Sequence, residues 1–328
     1  YIRARNHLGH YSNFYYRMSK AIIKLIGIGG AGGNAVDRMM ETDLKGIDLI
    51  AANTDVQDLR KVRAHRKLRL GYESTKGLGA GMNPELGKKA AQESAAEISQ
   101  VLQGSDMVFL AAGLGGGTGG GAAPVVARLA KEQGSLTVAV VGMPFSFEGS
   151  WRTRLAQAAL KELELTVDTL LVIPNDKVLE AASPDITLVD AFWSADEVLR
   201  QAVQGISDLI TKPGLINVDF ADVRNLMARS GRAVFGMGKA KGEHRITQAL
   251  NSALHSPFLS LSIQGARGIL FNIAWLDDLS LAEVEETASI LRQKASPEAR
   301  IIFGAVRDRE LKPGEVKITV LACGFPRQ

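Results

Sequence analysis

The chain has 328 residues, 46% hydrophobic and 23% charged, an ordinary globular composition with length for about two domains. No apolar run approaches the ~18 residues that span a bilayer, and the single cysteine, Cys323, excludes an internal disulfide and fits a reducing compartment. Four of the 39 bases lie in residues 1–20 (Arg3, Arg5, Arg17, Lys20) with no acid beside them, so the remaining 35 balance the 35 acids, and a neutral body makes a poor nucleic-acid binder.

Residues 1–19 read as a flexible basic leader, rich in tyrosine and without helical or strand period, ahead of a natural start at Met18-Ser19-Lys20. A short basic arm for membrane or nucleic acid is the competing reading. Residues 21–28 read as a buried parallel strand, 29–40 as a glycine loop entering a helix, 47–53 as a second strand and 68–70 as a short third. A second glycine loop at 77–81 leads into one helix over 84–102. Then come a strand at 106–112, a glycine run at 113–121, a helix at 122–133, a strand at 136–141, a helix at 151–165 and a strand at 169–173. Strands alternating with helices predict a parallel sheet covered on both faces.

A long helix follows over 185–211, with Leu188, Phe192, Ala195, Leu199, Val203, Ile206 and Ile210 recurring every three or four residues. Asp185 is its expected N-cap and Pro213-Gly214 its end. At ~1.5 Å per residue such a rod approaches ~40 Å, long enough to cross a domain. Segments 267–274, 281–294, 299–306 and 316–322 then read as strand, helix, strand, strand. The expected division is a leader at 1–19, a parallel Rossmann-like α/β domain at 20–184, a central helix at 185–212 and a smaller α/β domain at 213–328.

The glycine run Gly113-Leu114-Gly115-Gly116-Gly117-Thr118-Gly119-Gly120-Gly121 lies between a buried strand and a helix. Almost free of side chains, its backbone N–H groups can converge on an anion at the positive end of the helix, so it reads as a phosphate cradle rather than a hinge. Gly27-Ile28-Gly29-Gly30-Ala31-Gly32-Gly33-Asn34 fits the dinucleotide pattern G-x-G-x-x-G, which keeps a nicotinamide-dependent dehydrogenase as a rival. That rival expects one phosphate loop and an acid closing the second strand, where this chain has Asn53-Thr54-Asp55. Three cradles suit a triphosphate better. The G-x-x-x-x-G-K-[ST] pattern is absent, which disfavours an ordinary P-loop enzyme.

Gly115-Gly116-Gly117-Thr118-Gly119 resembles the signature loop of the tubulin/FtsZ family. Gly30-Ala31-Gly32-Gly33-Asn34, Asn53-Thr54-Asp55, Phe147-Glu148-Gly149, Ile173-Pro174-Asn175-Asp176, Ala191-Phe192 and the segment from Pro213-Gly214-Leu215 through Asp222-Val223-Arg224 extend the likeness in family order over about 20–325. The resemblance implies a GTPase that binds GTP and GDP with Mg²⁺, forms head-to-tail filaments, and serves the cytokinetic ring in the cytoplasm at the division site. It implies phosphate binding by Gly30, Ala31, Gly32, Gly33, Gly116, Gly117, Thr118 and Gly119, with Gly79, Ala80 and Gly81 closing over the γ-phosphate. Phe192 would stack on the base, and Asp196 would accept from guanine N1–H and its exocyclic amine. Asn34, Asn53, Asp55 and Asn175 would add base, ribose or phosphate contacts, and Glu148 and Arg152 would face the sugar and phosphates. Asp219, Asp222 and Asn217 would complete the active site of the next subunit, the two carboxylates orienting the attacking water.

Gly120 and Gly142 stand where that family carries hydroxyl residues, and Trp151, Trp193 and Trp275 are unusual for it. A hydroxyl restored by Gly120→Thr is expected to raise hydrolysis or affinity, and a passive, non-hydrolysing filament protein is the alternative. The sequence stops at Gln328 without the family's adaptor-docking tail, so assembly is expected without binding to those membrane-tethering adaptors.

Overall fold

The first strand, Ile23–Ile28 (β1), is buried at every position, as an apolar run must be when both faces of its sheet are covered. The computed structural model describes residues 21–42, 46–180, 185–212, 214–256 and 262–326. The expected leader therefore lies outside the described residues. After β1 come α1 (Gly29–Met39), β2 (Ile47–Asn53), α2 (Val56–Lys61), β3 (Arg66–Arg69), α3 (Pro84–Glu93), α4 (Ala95–Leu102), β4 (Met107–Gly113) and α5 (Gly117–Glu132). Then follow β5 (Leu136–Met143), α6 (Ser150–Thr166), β6 (Thr169–Pro174), α7 (Asn175–Glu180) and α8 (Leu188–Thr211). The remaining elements are α9 (Phe220–Met227), β7 (Gly231–Lys241), α10 (Arg245–Leu254), β8 (Gly268–Trp275), α11 (Leu281–Lys294), β9 (Arg300–Arg307) and β10 (Glu315–Cys323).

All ten strands form one sheet in the order β3-β2-β1-β4-β5-β6-β7-β10-β8-β9. Pairing is parallel from β3 through β7, while β10 runs antiparallel to both β7 and β8. The mostly parallel α/β reading holds, and the smaller C-terminal part continues the same sheet rather than forming another. One face is covered by α1 and α8, whose Val198, Leu199, Ala202, Val203 and Ile206 pack on β5, β6 and β7. The opposite face is covered by α3, α4, α5 and α6.

Three expectations need correction. The helix expected over 84–102 breaks at Ser94, whose hydroxyl accepts from Gly71 N–H at 3.0 Å instead of continuing a helical face. Helix α5 begins at Gly117, not at 122, so most of the glycine run is helix rather than loop. The N-cap of α8 is Thr187, which accepts from Asp190 N–H at 3.2 Å, and not Asp185. The short helices α2 and α7 and the segment α9-β7-α10 were not anticipated, although α10 buries Ile246, Ala249, Leu250 and Ala253 at helical spacing.

Candidate functional site

From β1 the chain steps to β2 and β3 on one side, then returns as β4 on the other, so the sheet order reverses between β1 and β4. Open α/β sheets bind ligands in the crevice at such a point, beyond the carboxyl ends of the strands. Here α1 starts directly from β1 and α5 shortly after β4. Neither N-cap, Ile28 or Gly116, carries a capping side chain, and neither first turn holds an acid. Each helix thus presents unpaired N–H groups and the positive end of its dipole.

The two helix starts converge. A methyl group on Gly29, whose φ is +74°, would come within 3.2 Å of the Gly119 nitrogen, and one on Gly113 within 2.7 Å of the Ala31 methyl. The Thr118 hydroxyl shares a 2.6 Å hydrogen bond with that of Thr54, which ties α5 to the end of β2. The 77–81 loop closes the third side: Gly79 N–H donates to Thr54 O at 3.2 Å, and Ala80 packs on Gly117. Gly30 and Gly81 are exposed there, and a methyl on Gly116 would meet nothing within 4 Å.

Not every glycine faces this space. A methyl on Gly121 would lie 2.0 Å from Pro84 O, and one on Gly32 2.3 Å from Ala111 O, so both permit backbone to pack on backbone. Gly120 points at Ala159 on α6, at 3.4 Å, and not toward the crevice, which removes the basis for expecting a hydroxyl there to aid hydrolysis. Asn53 and Asp55 have local partners. Asn53 Oδ1 accepts from Asp55 N–H at 3.2 Å, and Asp55 Oδ1 accepts from Gln57 N–H at 2.8 Å as the N-cap of α2.

Beyond β5 the rim is aromatic. Buried Phe145 stacks on exposed Phe147 with centroids 5.0 Å apart and meets Phe192 edge-on at 5.1 Å. Glu148 takes Phe145 N–H at 2.8 Å and pairs with Arg152, so this pair is joined side chain to side chain. Arg152 backbone lies against Gly115. Asn175, at the start of α7, holds a buried Oδ1 with no donor, 3.4 Å from where a Gly142 methyl would stand. Asn34 is exposed on α1.

Asp196 is buried on α8. Desolvation pushes its carboxyl up to about 6, against the opposing influence of Arg38, whose guanidinium pairs with it at 3.2 Å. Sequence reading missed Arg38, although it follows Asn34 by one helical turn and so shares its face. Trp193, noted as unusual, carries the same guanidinium over its ring at 4.0 Å.

Asn217, Asp219 and Asp222 lie apart from all of these. They follow the C-terminal end of α8, and 24 residues at ~1.5 Å place that end ~36 Å from its start. Their loop is stitched to β9 by a two-way bridge between Ile216 and Ala305, with N···O distances of 3.2 and 3.0 Å. Asn217 Oδ1 accepts from Gly214 N–H at 2.7 Å. Asp219 is the N-cap of α9, yet its side chain caps nothing, and both aspartates are exposed. The expected helix stop Pro213 lies outside the described residues. Among the described residues no group of three His, Cys, Asp or Glu could hold a metal, and no helix is long and apolar enough to cross a membrane.

The family model for the tubulin/FtsZ GTPase domain matches residues 22–183, and that for the FtsZ C-terminal domain matches 231–326. Among solved structures, the FtsZ of M. jannaschii, described as an empty dimer, is 45% identical with a TM-score of 0.89, covering 94% of this chain and 90% of its own. CetZ2 from Haloferax volcanii, a GTPγS-bound protofilament, shares 23% identity with a TM-score of 0.80 over 93% of this chain and 94% of its own, a likeness of fold. CetZ1 from the same organism, a GDP-bound monomer, stands at the same identity and TM-score.

Proposed function

The chain belongs to the tubulin/FtsZ family, and we propose that it binds GTP in the β1/β4 crevice, stacks head to tail into filaments, and hydrolyses GTP where one copy meets the next. The observation that carries this is the meeting of two uncapped, acid-free helix N-termini at the switch point, while the exposed acids lie a whole α8 away. One end can hold a triphosphate between helix starts without acids, with Asp55 engaged as the N-cap of α2 and Asp58 beside Lys61 at its rim. The other has carboxylates and no phosphate cradle. Only stacking of copies joins them, and a repeated contact that does not close on itself makes a filament.

In this reading the N–H groups of Gly30, Ala31, Gly32, Gly33, Gly117, Thr118 and Gly119 hold the phosphates, with Gly116 leaving room for them and Gly79, Ala80 and Gly81 covering the γ-phosphate. The unpaired Asn175 Oδ1 accepts from a ribose hydroxyl. Phe192 lies under the base, Asp196 takes its donors, and Asn34 contacts its edge. The Glu148–Arg152 pair borders the sugar, while Asn53 and Asp55 shape the turn behind the γ-phosphate loop. Mg²⁺ would arrive with the phosphates, and among the described residues no group of three His, Cys, Asp or Glu is placed to hold it by itself. Asp219 and Asp222 of the neighbour orient water for in-line attack on the γ-phosphate, and Asn217 sets their loop. Division-ring regulators and membrane-tethering adaptors are the corresponding partners of the full-length protein, and the cytoplasm at the division site the corresponding place.

Complementation tests the shared site. A Gly116→Ala protein, impaired in GTP binding, is mixed with an Asp219→Ala/Asp222→Ala protein that binds GTP but lacks the acids. Phosphate release restored only in the mixture, and rising per subunit with concentration, is expected. Assembly by light scattering without phosphate release in the wild type would leave a passive filament protein, and concentration-independent turnover would remove the shared site.

A further inference from the structure

Arg38 has no role in the assignments above, yet three contacts concentrate at its guanidinium. It lies over the Trp193 ring at 4.0 Å from the centroid, donates to the Trp193 carbonyl at 2.7 Å, and reaches the Asp196 carboxylate at 3.2 Å. Arg38 and Asp196 side chains are 15% and 10% exposed, so the pair is largely shielded from water. A planar guanidinium fixed on an aromatic face and a carbonyl has little freedom to leave its partner.

The protonation state of Asp196 decides which base the pocket complements. An ionised carboxylate has acceptors only, matching guanine, whose N1–H and exocyclic amine both donate. A neutral carboxyl has one donor and one acceptor, matching adenine, whose N1 accepts and whose amine donates. Burial favours the neutral, wrong form. Resting on the reading of Asp196 as the base acceptor, we propose that Arg38 is the specificity-determining positioning residue: it holds Asp196 ionised, so that the pocket takes guanine and refuses adenine.

The surrounding charges leave this task to Arg38. On α1, Asp37 is held by Arg63. On α8, Asp190 takes the Thr187 hydroxyl, and Glu197 is bound by Arg200 and Gln201. On α7, Asp176 takes Ser146 N–H, Lys177 is exposed, and Glu180 also lies at the surface; β5 brings no charge. Among the described residues, Arg38 is the charged group that opposes the effect of burial on Asp196.

The test is competitive displacement of a fluorescent GTP analogue by GTP and by ATP, over a pH range on both sides of about 6. The GTP-to-ATP affinity ratio cancels the titration of the triphosphate. In the wild type the ratio should climb by up to about tenfold per pH unit through about 6 and level off only where the triphosphate alone holds ATP on the ionised site. In Arg38→Met the climb should shift to higher pH, lowering the ratio about tenfold at neutrality, with recovery at alkaline pH. Arg38→Lys should stay within about threefold of the wild type. A wild-type ratio in Arg38→Met, or a loss that alkaline pH does not reverse, overturns the proposal. If Arg38→Met fails to fold, Arg38→Gln carries the same expectation and the same refutation. Asp196→Asn, with a fixed donor and acceptor, should lose the preference at every pH. If it keeps the preference, the base-recognition reading itself falls, separately from the role of Arg38.

Discussion

The two ends of α8 treat their acids in opposite ways. Near its start Asp196 is buried, paired with Arg38 and pressed toward neutrality by desolvation. Beyond its end Asp219 and Asp222 are exposed, and the Asp219 side chain does not even cap the helix it precedes. A buried, partnered carboxylate has a fixed direction and low-dielectric surroundings, which suit discrimination between ligands. An exposed, uncommitted carboxylate does little alone and becomes useful when another surface excludes water around it. Apolar side chains support that second surface at both ends: Leu215 is 79% exposed beside the acid loop, and Leu78 84% exposed beside the glycine crevice.

The comparison breaks most sharply at the exposed end. Asp219→Ala or Asp222→Ala should lower phosphate release by about 10²–10⁴-fold while GTP affinity in the monomer stays within about twofold, read by turnover and by equilibrium titration. A matching loss of monomer affinity would place these acids beside their own nucleotide. Next come two glycines of one run that should fail differently. Gly121→Ala forces a methyl onto Pro84 O at 2.0 Å and should lower stability by about 1–3 kcal/mol in thermal unfolding. Gly116→Ala meets nothing within 4 Å, so stability should hold while GTP affinity drops about tenfold or more. Equal melting temperatures for the two would erase the distinction.

That pair also marks where sequence reading stops. Strand β2 and helix α11 were legible to the residue because unbroken apolar runs and 3.6-residue periods fix element type. The glycine runs were legible as special, but an absent side chain can leave room for a ligand or for a second backbone. Gly116 does the first and Gly121 the second. Strand β7, GRAVFGMGKAK, was hidden because its glycines, such as Gly238 under Ala249, make way for α10 and interrupt the apolar alternation. Arg38 was hidden because it acts through Asp196 and Trp193, which are distant in sequence and close only once α1 packs on α8.

The buried end makes a smaller, pH-dependent prediction with two opposite signs. With its carboxyl raised to about 6, Asp196 binds a proton more readily folded than unfolded. Its contribution to stability is therefore complete in acid and is lost as pH rises through about 6. Guanine binding, which needs the ionised form, strengthens over that same interval. Asp196→Asn should flatten both trends, measured as the pH dependence of unfolding free energy and of GTP affinity relative to wild type.

Gly120 supplies the smallest effect and the sharpest internal control. It sits in α5 between Gly119, which abuts the Gly113 carbonyl at the end of β4, and Gly121, which abuts α3, yet its own side-chain direction is toward Ala159 at 3.4 Å. Alanine there gains up to about 1 kcal/mol of helix propensity against a contact of ordinary van der Waals length. Gly120→Ala should thus leave stability within about 1 kcal/mol and GTP affinity unchanged. A shift in affinity would mean that α6, and not only the two helix starts, reports on the phosphates.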